Sequence, residues 1–187
     1  MKNGREIQVW DPLVRVFHWS LALTFLANYW ITEDGGNWHV WIGYAAAALV
    51  AIRVVWGFIG PVNARFARFV PTPERVSRHW HELRRGQGDP LGGHNPLGGA
   101  MVILLMALIL GLGTTGFMME EVDRFWGEEW VEELHELLAN LTMAAVVVHV
   151  TAVFVMQRWT GVELLRPMIT GRRRVSKRNS VDAHRSH

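Results

Sequence analysis

Four histidines stand in or at the edges of strongly apolar runs: His18, His39, His135 and His149. Ionisable side chains at such positions are costly and mark function by default. His135 and His149 are fourteen residues apart. That is close to four helical turns, so they project from nearly one face, about 21 Å apart along the axis. Facing neutral imidazoles suit axial ligation of haem iron. Zinc usually takes four ligands, and hard cations take oxygen. A proton relay is the rival use of buried histidine. Relays usually include buried carboxylates; the interiors of these runs have none, and Glu136 sits at an outer edge. Hydrogen-bonded packing is the third reading of the same residues.

The elements that must position these histidines are four apolar runs, at about 13–31, 40–59, 96–119 and 134–157. Each is long enough as a helix to cross a hydrocarbon core of about 30 Å. Half of the 187 residues are hydrophobic, 19% are charged, and ten are Trp, a residue that favours membrane interfaces. A soluble helical bundle would keep a polar stripe along each helix, which these runs mostly lack. The first run has no small-residue cleavage site and exceeds the usual signal-peptide core, so it reads as a span. Asp11-Pro12 and Asn95-Pro96 place a cap residue before a proline, as helix starts do. The expected fold is an all-α, four-helix membrane bundle forming one domain over residues 1–174. The basic tail, 175–187, is expected to be disordered.

Charge orients the bundle. Seventeen of the nineteen Lys and Arg residues lie in the N-terminal segment, in the 60–95 connection or after the fourth run. The other connections carry Glu33, Asp34, Glu120, Glu121, Asp123, Glu128, Glu129, Glu132 and Glu133. The positive-inside rule makes both termini cytoplasmic. The basic tail then sets topology and touches anionic lipid; no nucleic-acid module accompanies it. Within the long connection, Val76, Trp80 and Leu83 predict a short amphipathic helix on the cytoplasmic interface. His79 and His81 on it read as solvated rather than metal-binding.

Antiparallel spans bring His18 level with His149 near the inner surface, and His39 level with His135 near the outer one. Haem in these pairs would bring propionates that need cations. Arg53 follows His39 by fourteen residues and Arg15 precedes His18 by about one turn, so both are candidate partners, Arg being suited to carboxylate. Snorkelling is the simpler reading of Arg15. Zero cysteines exclude disulfides, iron–sulfur clusters and thioether-attached haem. Gly111-Leu-Gly-Thr-Thr-Gly116 formally matches a dinucleotide fingerprint, but it lies in an apolar helix rather than after a strand. His135-Glu136 begins a zinc-protease motif that Ala139 ends.

The chain resembles the bacterial cytochrome b561 family, which includes the b-type cytochrome subunits of nickel–iron hydrogenases. The resemblance spans roughly residues 8–170. It rests on Val14-Arg-Val-Phe-His-Trp19, Arg53-Val-Val-Trp-Gly-Phe-Ile-Gly60 with Ala64-Arg-Phe66, Gly93-His-Asn-Pro-Leu-Gly98, and Leu134-His-Glu-Leu-Leu-Ala-Asn140 followed by His149. It implies a multi-pass protein of the bacterial inner membrane with two b haems, ligated by His18 with His149 and by His39 with His135. It also implies electron transfer between the quinone pool and a periplasmic partner, such as a cytochrome c or a dehydrogenase, or a small reductant. Superoxide:quinone oxidoreduction is a related expectation. A membrane anchor for a hydrogenase or other peripheral dehydrogenase is an expectation of another class. Trp38, Trp41, Trp126 and Trp130 gather at the outer edge, as an interfacial belt or beside a quinone.

Overall fold

The computed structural model describes residues 5–61, 65–69 and 96–175, together with Thr72, Glu74, Ser77 and His81. Strand β1 is Arg5–Gln8, followed by helices α1 (Pro12–Trp30), α2 (Asn37–Ile59), α3 (Phe66–Phe69) and α4 (Pro96–Glu121). A 3₁₀ turn over Asp123–Phe125 precedes α5 (Glu129–Thr160), α6 (Leu165–Thr170) and strand β2 (Arg172–Val175). The expected interfacial helix around Trp80, together with His79, His94 and residues 176–187, lies outside the described residues.

Local chemistry sets the helix ends. Asp11 Oδ1 accepts the Val14 N–H at 2.9 Å, satisfying one orphan donor of α1, and Pro12 opens that helix. The α1–α2 connection turns through Gly35 at φ 73°, a conformation that costs glycine nothing. Helix α5 carries Glu129 and Glu132 in its first turn and Arg158 in its last, complementing its macrodipole at both ends.

Helices α2, α4 and α5 are each long and apolar enough to cross a membrane. Helix α1 has 19 residues, but Arg15, His18 and Asn28 dilute its apolar character. Leu23, Val55, Phe117, Val147 and Phe154 are all more than half exposed. Apolar side chains turned outward in this way are suited to lipid rather than water.

The chain divides into two compact units. The first comprises Val16–Ile59 and Met101–His149, and its helices touch around a ring. Asn28 Nδ2 donates to the His39 carbonyl at 3.0 Å, joining α1 to α2. The Tyr44 hydroxyl donates to Glu121 Oε1 at 2.9 Å, joining α2 to α4. The Tyr29 hydroxyl donates to Asn140 Oδ1 at 2.8 Å, joining α1 to α5. Between α4 and its neighbours, glycines permit close approach: a Cβ on Gly113 would lie 3.1 Å from Ala47 Cβ, and one on Gly111 would lie 3.2 Å from Leu138 Cδ1.

The second unit comprises Met1–Arg15, Gly60–Ala100 and Val150–His187. In it β1 pairs antiparallel with β2, Glu6 facing Arg174 and Ile7 facing Arg173. Arg166 Nη2 meets Glu6 Oε1 at 2.8 Å. Arg173 is buried, and its Nε donates to the Glu163 carbonyl at 2.9 Å. Gly171 closes α6 at φ 79°, and its carbonyl accepts the Val9 N–H at 2.9 Å. A Cβ there would approach the Trp10 carbonyl oxygen at 3.0 Å, so both conformation and space favour glycine.

Candidate functional site

The four histidines of the apolar runs form two pairs within the first unit. His18 on α1 faces His149 on α5 with ring centroids 6.4 Å apart and planes at 53°. His39 on α2 faces His135 on α5 with centroids 6.0 Å apart and planes at 60°. All four side chains are half-buried. The pairing expected from antiparallel order is therefore the pairing seen in the structure. The fourteen-residue separation on α5 sets the two pairs about 21 Å apart along that helix.

The His39–His135 pair is held from behind. His39 Nδ1 lies 2.9 Å from the Thr32 carbonyl oxygen, which can only accept, so Nδ1 carries the proton. His135 Nδ1 lies 2.7 Å from Thr115 Oγ1. That hydroxyl also sits 3.0 Å from the Gly111 carbonyl oxygen and 3.1 Å from that of Leu112. Donating its one proton to these carbonyls leaves a lone pair for the His135 Nδ1–H. Each ring then keeps an unprotonated Nε2. A second layer supports His39: Asn28 holds its carbonyl, and Asn28 Oδ1 accepts from the Thr32 hydroxyl at 2.9 Å. The His18–His149 pair differs, because His18 Nδ1 is buried without a hydrogen-bond partner.

The donor set fits haem. Two metal–nitrogen bonds of about 2 Å, with about 1 Å from each nitrogen to its ring centre, put two axial imidazoles about 6 Å apart between centroids. Both pairs match this spacing. Among the described residues no group of three or more His, Cys, Asp and Glu side chains is placed to hold a metal. Two protein ligands suit a metal whose remaining positions belong to a macrocycle, and a structural zinc asks for more. The buried polar residues among those described are Arg53, Thr115, Thr142 and Arg173, with no carboxylate for a proton relay.

Of the two candidate arginines, Arg53 is only 3% exposed on α2. Arg15 belongs to the second unit, where its Nη1 donates to the Ile169 carbonyl at 2.7 Å. Its Nε is buried without a hydrogen-bond partner. Trp38, Trp41, Trp126 and Trp130 are exposed. Sequence reasoning missed Thr115 and Thr32 as supports of the histidines. The available signal was a threonine in an apolar, glycine-rich helix, the very segment set aside as a false nucleotide fingerprint.

Comparison with known proteins identifies a family. The family described as prokaryotic cytochrome b561 matches residues 9–171. The chain is also similar to a probable Ni/Fe-hydrogenase B-type cytochrome subunit from Rhizobium leguminosarum bv. viciae, 29% identical over 143 residues. That match covers 62% of this chain and 60% of the relative, so the chain spans less than two thirds of the relative's length. No solved structure matches the chain.

Proposed function

The chain belongs to the prokaryotic cytochrome b561 family, and from that premise we propose that it is a dihaem b-type cytochrome of the bacterial inner membrane. In this reading it carries electrons between a periplasmic redox partner, or a small reductant, and the quinone pool. The observation that carries the proposal is the pair of histidine couples, whose ring centroids lie 6.4 and 6.0 Å apart and which could hold two haems.

His18 with His149 would hold one haem, and His39 with His135 the other. Bound there, haem supplies one-electron chemistry at iron. The chain's own residues do the rest. The Thr32 carbonyl keeps the proton of His39 on Nδ1 and leaves Nε2 as the nitrogen that would hold haem iron. Arg53, a buried cation on α2, is suited to pair with a propionate. Arg15, one turn before His18 in the sequence, is the second candidate for the same task.

Strand pairing supports four crossings with both termini on one side. β1 precedes α1 and β2 follows α6, yet the two hydrogen-bond to each other. An odd number of crossings would separate them, which supports counting α1 with α2, α4 and α5 as a span despite its polar residues. The basic residues at both ends then assign that side to the cytoplasm.

The quinone step is tested by mixing anaerobic, dithionite-reduced protein, freed of excess reductant, with a short-chain ubiquinone analogue. Reoxidation of the b-type absorbance within seconds is expected; a persistent reduced spectrum contradicts quinone as acceptor. The similarity to the Rhizobium protein favours a second reading, a membrane subunit of a hydrogenase or other peripheral dehydrogenase. Co-purification of a dehydrogenase with the tagged chain from its native membrane would support that reading.

A further inference from the structure

We propose that Thr115 is a positioning residue that sets the ligand strength of His135 and thereby lowers the reduction potential of the outer haem. The proposal rests on the bis-histidine reading above. Thr115 is 4% exposed, and a hydroxyl in such a place must have partners. Its partners are the Gly111 and Leu112 carbonyl oxygens, four and three residues before it in the same helix, and His135 Nδ1 at 2.7 Å. The first two contacts are those threonine commonly makes in a helix. The third reaches across to another helix and to a proposed iron ligand.

The neighbouring backbone carries the same ring. A Cβ on Gly116 would lie 3.6 Å from His135 Cε1, so the imidazole rests against the Thr115-Gly116 segment of α4. The ring is thus both placed by α4 and hydrogen-bonded to it. An Nδ1–H that donates to a good acceptor gives the imidazole some imidazolate character and makes Nε2 a stronger donor to metal. A stronger donor favours ferric over ferrous iron, which lowers the potential. His18 Nδ1 has no such acceptor, so the effect belongs to one haem of the two.

The test is an anaerobic potentiometric titration of the purified haem-loaded protein, followed optically and by low-temperature EPR, for wild type, Thr115→Val and Thr115→Ser. Valine keeps the shape and removes the hydroxyl; serine keeps the hydroxyl. The expected result is a raised midpoint and an altered low-spin signal for one haem in Thr115→Val, with the other haem unchanged and Thr115→Ser close to wild type. Selective loss of that haem in the valine variant, with retention in the serine variant, supports the same assignment; outer-shell partners can be worth roughly 10- to 100-fold in affinity. An unshifted midpoint in Thr115→Val overturns the proposal. A serine variant that behaves like valine overturns it as well. Absence of haem from folded wild-type protein would instead remove the bis-histidine reading beneath it.

Discussion

The imidazoles of His39 and His135 stand 6.0 Å apart, and each gives its Nδ1 proton to a group outside the pair. His39 donates to the Thr32 carbonyl, and His135 to the Thr115 hydroxyl. Two rings so arranged each retain a lone pair on Nε2, which is the state an axial ligand needs. On the proposed bis-histidine reading, this local hydrogen-bond pattern would serve a redox function.

Removing one ligand should cost one haem. His39→Ala is expected to leave one haem b per chain, held by His18 and His149. His149→Ala should leave the other, held by His39 and His135. Pyridine haemochrome quantification per chain reads both. A variant that keeps two haems would contradict the pairing; loss of both in each variant would show that the pairs are not independent.

Close packing of α2 on α4 should depend on Gly113. Even one methyl there would come within 3.1 Å of Ala47 Cβ, so Gly113→Val must push the helices apart. Overpacking of this kind costs about 1–3 kcal/mol. The thermal unfolding midpoint in detergent should fall by several degrees. Gly36→Ala, where a Cβ would meet nothing within 4 Å, should leave it nearly unchanged.

Acid should loosen the strand pair that joins the chain ends. A hydrogen bond from Arg166 holds the Glu6 carboxyl below its usual 4.5; desolvation opposes this, and Arg174 adds to it. A depressed carboxylate contributes its stability fully above the unfolded value and loses it as pH falls through the folded one. Amide protection of residues 5–8 and 172–175 should therefore hold steady down to about pH 5 and decline below it. The pair is surface-exposed, so the change is modest. Glu6→Gln should lower protection at neutral pH and flatten the profile, whereas an equally steep decline in that variant would assign the effect to another group.

Much of this was legible in residue types and spacing. The spans expected at 40–59 and 96–119 appear as Asn37–Ile59 and Pro96–Glu121, because apolar runs bounded by Gly and Pro specify long helices strongly. Helix α5 begins earlier than expected, at Glu129, since acidic residues favour a helix start and extend it beyond the apolar stretch. The histidine pairing followed from antiparallel order. The contact of Thr115 with His135 joins residues twenty apart on different helices, and only the packing reveals it. The β1–β2 pair was equally hidden. Arg172, Arg173 and Arg174 read as a topological charge cluster, while their pairing with residues 5–8 depends on contacts across almost the whole chain.

The account is tested most directly by the reduced-minus-oxidised visible spectrum of the detergent-purified chain, with haem quantified per polypeptide. It predicts two b haems per chain, low-spin in both oxidation states, with no haem retained after acid–acetone extraction because no cysteine is present to tether it. A folded preparation without haem, or one with a single high-spin haem, would contradict it.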